Sequence, residues 1–213
     1  MGLVNYVLDG GVATIAMDDG KVNALSPAMF GELNAAFDRA EADRAVVVVT
    51  GREGVFSAGF DLKVLRGGGP DAPAMVQAGF DLAKRVLAFP FPVVMACSGH
   101  AIAMGLFLLE SGDYVIGADG PFKFTANEVA IGLEVPAVGL AVLRQRVVPA
   151  VFNRMTLLAE PLDPPAALAC GVLDRVVEAS SVLKEARSIA ASLTALDMAS
   201  YAATKRSARA VVL

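Results

Sequence analysis

The sequence predicts an α/β domain built on a largely parallel sheet, and three observations carry the prediction. The run AVVVVT from Ala45 to Thr50 is β-branched and apolar almost throughout, as a strand covered on both faces must be. Strand-length apolar stretches alternate along the chain with segments whose apolar residues recur at helical spacing. With 213 residues and 55% hydrophobic content, the chain can close one sizeable core and keep apolar surface for buried subunit interfaces.

Taken in order, Tyr6-Val7-Leu8, a turn at Asp9-Gly10-Gly11 and the segment Val12 to Met17 read as a β-hairpin. Leu25-Ser26-Pro27 is a helix start, with serine as cap and proline at the first helical position; Met29, Leu33, Ala36, Phe37 and Ala40 follow at helical spacing. The strand Ala45 to Thr50 comes next, then a glycine-rich loop from Gly51 to Pro73. A helix over roughly Ala74 to Ala88 precedes a second buried strand, Pro92 to Ala96. Ser98-Gly99-His100 reads as a polar turn, and another helix starts near Ala103. Tyr114 to Gly117 is strand-like, short elements lead to Asp174-Arg175-Val176-Val177, and the pattern from Ser181 onward is helical. The expected organisation is a core domain over 1–178 and a C-terminal helical segment over 179–213, without repeats or low-complexity linkers.

Composition narrows the function classes. With 18 Lys+Arg against 22 Asp+Glu there is no broad positive field, which argues against nucleic acid or an anionic membrane as partner. One histidine and two cysteines argue against a metal site or a disulfide framework, and Cys97 and Cys170 read as buried thiols of a cytoplasmic protein. The N-terminus MGLVNYVLDG lacks the basic start and apolar core of a signal peptide. Val86 to Leu109 contains no charged residue, yet Phe89-Pro90-Phe91-Pro92 and Ser98-Gly99-His100 break it, so it reads as helix end, strand, turn and new helix, not a membrane span.

Two glycine-containing turns, each after an apolar strand and each leading toward a helix, can present free backbone N–H groups: Phe56 to Leu62 and Ser98 to Gly105. The first turn of a helix has unpaired donors and a partial positive charge, which suits an oxygen that becomes negative during a reaction. Neither turn is specific alone. Together, FSAGFDL and GHAIAMGLFLL resemble the two oxyanion-hole segments of the crotonase, or enoyl-CoA hydratase/isomerase, superfamily. KVNAL at Lys21 to Leu25, NEVAIG at Asn127 to Gly132 and ALACGVLDRVV at Ala167 to Val177 extend the match in the same order.

The resemblance implies a crotonase-like (ClpP/crotonase) spiral of ββα units with C-terminal helices, assembling as a homotrimer or dimer of trimers. It implies an acyl-CoA substrate and no permanently bound cofactor, coenzyme A entering as part of the substrate. The amides of Phe60 and Met104 would be the oxyanion donors, with Phe60 and Met104 also shaping the acyl pocket, and Glu128 the acid–base group. A carboxyl within an apolar stretch has its charge disfavoured and its proton affinity raised toward a useful range.

One departure bears on the reaction. Hydratases of the superfamily carry a second glutamate where this chain has Phe107, which cannot activate water. Moving one proton between the α and γ carbons needs a single acid–base group, so Δ3,Δ2-enoyl-CoA isomerisation is the favoured reading. Hydration by Glu128 with Glu110 or Glu134, and a non-catalytic acyl-CoA binding subunit, are the alternatives. Glu110 lies one helical turn beyond Phe107, and Glu134 stands beside Pro136 in GLEVP.

His100 reads as a turn residue bonded to backbone, and Asp61 and Asp113 as fixing loops and caps. Ser98 lacks a G-x-S-x-G setting and an acid relay. No phosphate-loop or dinucleotide motif is present. The resemblance places Lys21, Ala58, Gly59, Asp61, Leu62, Gly105 and Lys205 along the coenzyme A thioester, with Lys63 and Arg66 flanking. The chain stops at Ala210 to Leu213, earlier than the resemblance implies, so helices that close the pocket and build the trimer are expected to be shortened.

Overall fold

The computed structural model describes residues 2–213. Its centre is a six-stranded sheet in the order β1-β2-β3-β5-β7-β9. These strands are β1 (Val4–Asp9), β2 (Val12–Met17), β3 (Val46–Thr50), β5 (Val93–Cys97), β7 (Tyr114–Ala118) and β9 (Arg175–Val177). Only the β1–β2 hairpin is antiparallel; the remaining pairs are parallel. Asp9 and Val12 are joined by Gly10 and Gly11 at φ 53° and 79°, the double positive φ that a two-residue hairpin turn requires.

Strand alternation sends side chains to two cores. Val47, Val49, Val93, Met95 and Val115 point to one face, while Val46, Val48, Val94, Ala96 and Ile116 point to the other. The first face is covered by α1 (Pro27–Ala42), α3 (Asp71–Ala88) and α4 (Met104–Glu110). Ser26 caps α1 by accepting from the Met29 amide at 3.2 Å, and Met29, Phe30, Leu33, Phe37 and Ala40 form its buried stripe. The second face is covered by α8 (Val182–Leu193) through Val182, Ala186 and Ala190. This helix, read from the sequence as part of a C-terminal segment, supplies one wall of the core. Helices α5 (Ala137–Arg144), α6 (Pro149–Leu157), α7 (Pro164–Cys170) and α9 (Met198–Ala208) complete the chain.

The structure corrects the sequence reading at two places. The segment from Gly51 to Pro73 contains β4 (Gly54–Ser57), α2 (Leu62–Gly67) and the start of α3, which begins at Asp71. Only Phe56 and Ser57 of β4 are buried, too short a signal for a strand, and Pro73 fits the first turn of α3, where its missing N–H costs no helical bond. The turn at Ser98 to His100 is instead the start of β6 (Gly99–Ile102). Gly99 does not mark a turn there: a side chain on it would collide with the Gly54 carbonyl of the adjoining strand.

With β8 (Phe124–Thr125), β4 and β6 form a second, parallel sheet in the order β4-β6-β8. The ends of β4 and β6 deliver the two glycine turns side by side. The uncharged stretch from Val86 to Leu109 is divided among α3, β5, β6 and α4, and among the described residues no helix is long and apolar enough to cross a membrane.

Candidate active site

The first turn leaves β4 at Ser57 and runs through Ala58-Gly59-Phe60. Ser57 Oγ donates to the Asn23 carbonyl at 2.7 Å and accepts from the Gly59 amide at 3.1 Å. Asn23, buried within the KVNAL stretch, donates from Nδ2 to the carbonyls of Met17 and Phe56, both at 3.1 Å, and so ties this turn to the main sheet. Leu25 bridges Phe60 in parallel: its amide donates to the Gly59 carbonyl at 2.8 Å and its carbonyl accepts from the Asp61 amide at 3.3 Å. In such a bridge the flanking peptides carry the bonds and the central N–H faces away, so the Phe60 amide has no hydrogen-bond partner among the described residues. Asp61 then caps α2, accepting from the Lys63 amide at 2.8 Å.

The second turn is Ala103, at φ 51° and ψ −124°, between β6 and α4. Its amide donates to the Thr125 carbonyl at 2.8 Å, and its carbonyl accepts from the amides of Leu106 and Phe107 at 2.9 and 3.2 Å. The Met104 amide, first of the helix, has no partner among the described residues. The turns are pressed together: a Cβ on Gly59 would lie 3.4 Å from the Met104 nitrogen, and one on Gly105 would lie 2.5 Å from the Ser57 carbonyl oxygen. Two unpartnered amides therefore belong to abutting turns.

These turns border a cavity of about 260 Å³, whose lining includes Ala58, Phe60, Ala103, Asn127, Glu128 and Glu134. Glu128 follows β8, which is held by reciprocal backbone bonds between Phe124 and Leu162 at 3.0 and 2.9 Å. Its side chain is buried and Oε2 has no hydrogen-bond partner among the described residues; burial pushes its carboxyl above the ordinary glutamate range. Asn127 Oδ1 is likewise buried without a partner. Glu134 lines the same cavity and is exposed.

The other sequence candidates lie elsewhere. Glu110, with a fully buried side chain, stands 3.3 Å from Arg146 Nε, and Arg146 also meets Asp174 at 2.7 Å; none of the three lines the cavity. Burial lifts the Glu110 carboxyl to about 8 against the attraction of Arg146. Lys205 is buried on α9 with its ammonium 2.8 Å from Asp113, which also receives Arg209 at 3.0 Å and the Tyr201 hydroxyl at 2.6 Å. Lys21 is exposed on the Asn23 turn, outside the cavity lining. Lys63 and Arg66 are exposed on α2, whose Leu62 and Leu65 do line it. His100 Nδ1 accepts from the Lys123 amide at 3.0 Å, and Ser98 Oγ donates to the Arg52 carbonyl at 2.7 Å.

The family model described as enoyl-CoA hydratase/isomerase matches residues 8–212. The chain belongs to the enoyl-CoA hydratase/isomerase family. Among its relatives, a carnitinyl-CoA dehydratase of Citrobacter koseri is 28% identical over 211 residues, 97% of this chain and 80% of the relative. The structure of a probable enoyl-CoA hydratase from Mycobacterium tuberculosis superposes with TM-score 0.96 at 43% identity, covering 99% of this chain and 89% of that one. Human mitochondrial Δ3-Δ2-enoyl-CoA isomerase gives TM-score 0.94 at 29% identity over 99% of this chain and 84% of that one. The fold is thus that of the crotonases, and the chain is an enzyme of this family. Dehydratase, hydratase and isomerase relatives share this fold, so the fold does not fix the reaction.

The cavity is thus bordered by two turns whose Phe60 and Met104 amides have no partner among the described residues, and it is lined by the buried Glu128 and mostly apolar side chains. Phe107, one residue of the departure noted in the sequence, is buried behind Phe80, their ring centroids 5.6 Å apart, and does not reach the cavity. Sequence reasoning missed Phe80, Asn127 and Ala103 among the lining residues. For Phe80 a signal existed in Gly79, a glycine in the middle of an otherwise regular amphipathic helix.

Proposed function

We propose that this enzyme converts 3-enoyl-CoA to 2-enoyl-CoA by moving a single proton with Glu128. Ionised Glu128 removes a proton from C2, and the C–H electron pair passes into the thioester to give an enolate. The negative oxygen is received by the amides of Phe60 and Met104. Glu128, now protonated, returns the proton to C4 as the double bond shifts from C3–C4 to C2–C3. Atoms and charge balance without water or a second acid. Each oxyanion donor is worth about 3–4 kcal/mol in comparable sites.

The observation that supports this reading is the buried Glu128 carboxyl on an apolar cavity, its Oε2 unpartnered among the described residues, together with phenylalanine at position 107 where the resemblance puts the second acid of a hydratase. Apolar walls and a raised proton affinity favour a group that takes and returns a proton. Coenzyme A would enter as part of the substrate, past Leu62 and the cations of α2. Assembly as a trimer or dimer of trimers is proposed with it, supported by the exposed Leu157, Leu158 and Leu168. A cytoplasmic setting is supported by two buried free thiols, Cys97 and Cys170.

Hydration with Glu134 is the second reading, because Glu134 shares the cavity. Product analysis separates the two. Incubation with a 3-enoyl-CoA should yield the 2-enoyl isomer, while crotonyl-CoA should give little 3-hydroxybutyryl-CoA. Rapid hydration of crotonyl-CoA would overturn the isomerase reading in favour of Glu128 with Glu134, and binding without turnover of either would mark a non-catalytic binder.

A further inference from the structure

Aromatic rings form one wall of the cavity, and those rings rest in notches cut into two helices. Phe60 and Phe80 both line the cavity, with ring centroids 6.4 Å apart and planes inclined at 67°. Phe30 backs Phe60 at 6.1 Å, and Phe107 backs Phe80 at 5.6 Å. Gly79 lies inside α3, where glycine is an unfavourable residue. A Cβ there would stand 2.6 Å from Phe60 Cε1, 2.9 Å from its Cζ and 3.1 Å from Phe30 Cζ. Gly139 does the same on α5: its Cβ would meet Phe80 Cε1 at 3.2 Å and Phe107 Cε1 at 3.4 Å. Each helix gives up a side chain where a wall ring must sit.

The geometry points to Phe80, with Phe60, as the residue that sets the upper limit of acyl length, and to Gly79 and Gly139 as the positions that hold this wall back from the cavity. The inference rests on the acyl-CoA reading of the cavity, not on which reaction follows. A methylene occupies about the space of a water molecule, roughly 30 Å³. The 260 Å³ must also take the thioester and the neck of the pantetheine arm, so it accommodates short and medium unbranched chains. Of the two rings, Phe80 is buried and Phe60 only half-buried, and Phe107 behind Phe80 is buried as well, so removing Phe80 extends the cavity toward Phe107 instead of opening it to solvent.

The test is titration calorimetry of the full chain with saturated acyl-CoAs of increasing even carbon number from acetyl to dodecanoyl, which requires no turnover. For the wild type, affinity should rise by up to about fourfold per methylene while the chain is being buried, and the rise should stop near six carbons, the number left at roughly 30 Å³ each once the thioester and the pantetheine neck are seated. Phe80→Ala should move the break at least two carbons longer, with Phe80→Leu as the milder variant should the first fold poorly. Gly79→Ala should push the Phe60 ring inward and move the break at least two carbons shorter, while affinity for free coenzyme A stays unchanged. An identical break in wild type, Phe80→Leu and Gly79→Ala, or no break at all, would overturn the inference. Failure of the isomerase reading would appear separately, as a normal break in binding without turnover of 3-enoyl-CoA.

Discussion

A methyl group placed on Gly59 would lie 3.1 Å from the Ala103 Cβ and 3.0 Å from the Ile102 carbonyl oxygen. The residue preceding one proposed oxyanion donor is thus in contact with the residue preceding the other. The spacing of the two amides depends on that contact, and Gly59 also holds φ at 89°, which L side chains rarely adopt. Gly59→Ala should lower stability by about 1–3 kcal/mol and cut kcat by about a hundredfold. Thermal melts and steady-state rates on one preparation check both, and unchanged kcat would show that the amides do not depend on this contact.

Ala103 carries strain of the same kind, at φ 51° and ψ −124° without being glycine. Ala103→Gly should relieve it, and after the loss of unfolded-chain restriction a gain of about 0.5–1 kcal/mol should remain. Urea midpoints at constant slope measure this. A loss of stability would show that the Ala103 methyl contributes more by packing on the Gly59 turn than its backbone costs.

Much of this arrangement was legible in the sequence. The β-branched run before Gly51 forced a strand covered on both faces, and Ser26-Pro27 fixed the start of α1 to the residue. By contrast, β4 and β6 were hidden because their signals are a few buried residues and two glycines, and the reason for Gly99, the close approach of Gly54, lies 45 positions away along the chain. Glu110 was ambiguous for a different reason. Every residue of α4 is buried, so helical spacing from Phe107 could not tell which side of the helix met the cavity and which met Arg146.

The Glu110–Arg146 pair makes a pH prediction. The folded protein holds a proton on Glu110 up to about 8, whereas the unfolded chain releases it near 4.5. Between those values the folded state binds more protons, so this group's contribution to stability is complete below the lower value and is lost as pH rises through the higher one. Glu110→Gln should flatten that part of the stability profile measured by urea unfolding from pH 5 to 9. Arg146→Met, which leaves the buried acid unpartnered, should cost about 3–5 kcal/mol at pH 9 and less at pH 5.

Lys205 separates a structural role from a binding one. Burial lowers its ammonium to about 8 despite the attraction of Asp113, and its partner also ties Tyr201 and Arg209 to the Asp113 turn. Lys205→Met should change stability and leave affinity for coenzyme A intact by calorimetry. Weaker coenzyme A binding at full stability would restore it to the coenzyme A-binding role that the family resemblance implies.

If ionised Glu128 accepts the C2 proton, kcat/KM for 3-enoyl-CoA should fall on the acid side with a midpoint above the 4.5 of an ordinary glutamate, since burial raises this carboxyl. An acid limb at or below that value would assign the base to a solvated group such as Glu134.

The most direct measurement is the turnover of 3-enoyl-CoA by Glu128→Gln, a change that keeps the shape and removes the titrating group. With Glu128 as the proton carrier, kcat should fall by at least about a hundredfold with acyl-CoA affinity retained, because the amides and the apolar walls remain in place. Full activity in that variant would remove Glu128 from the reaction and contradict single-proton isomerisation at this site.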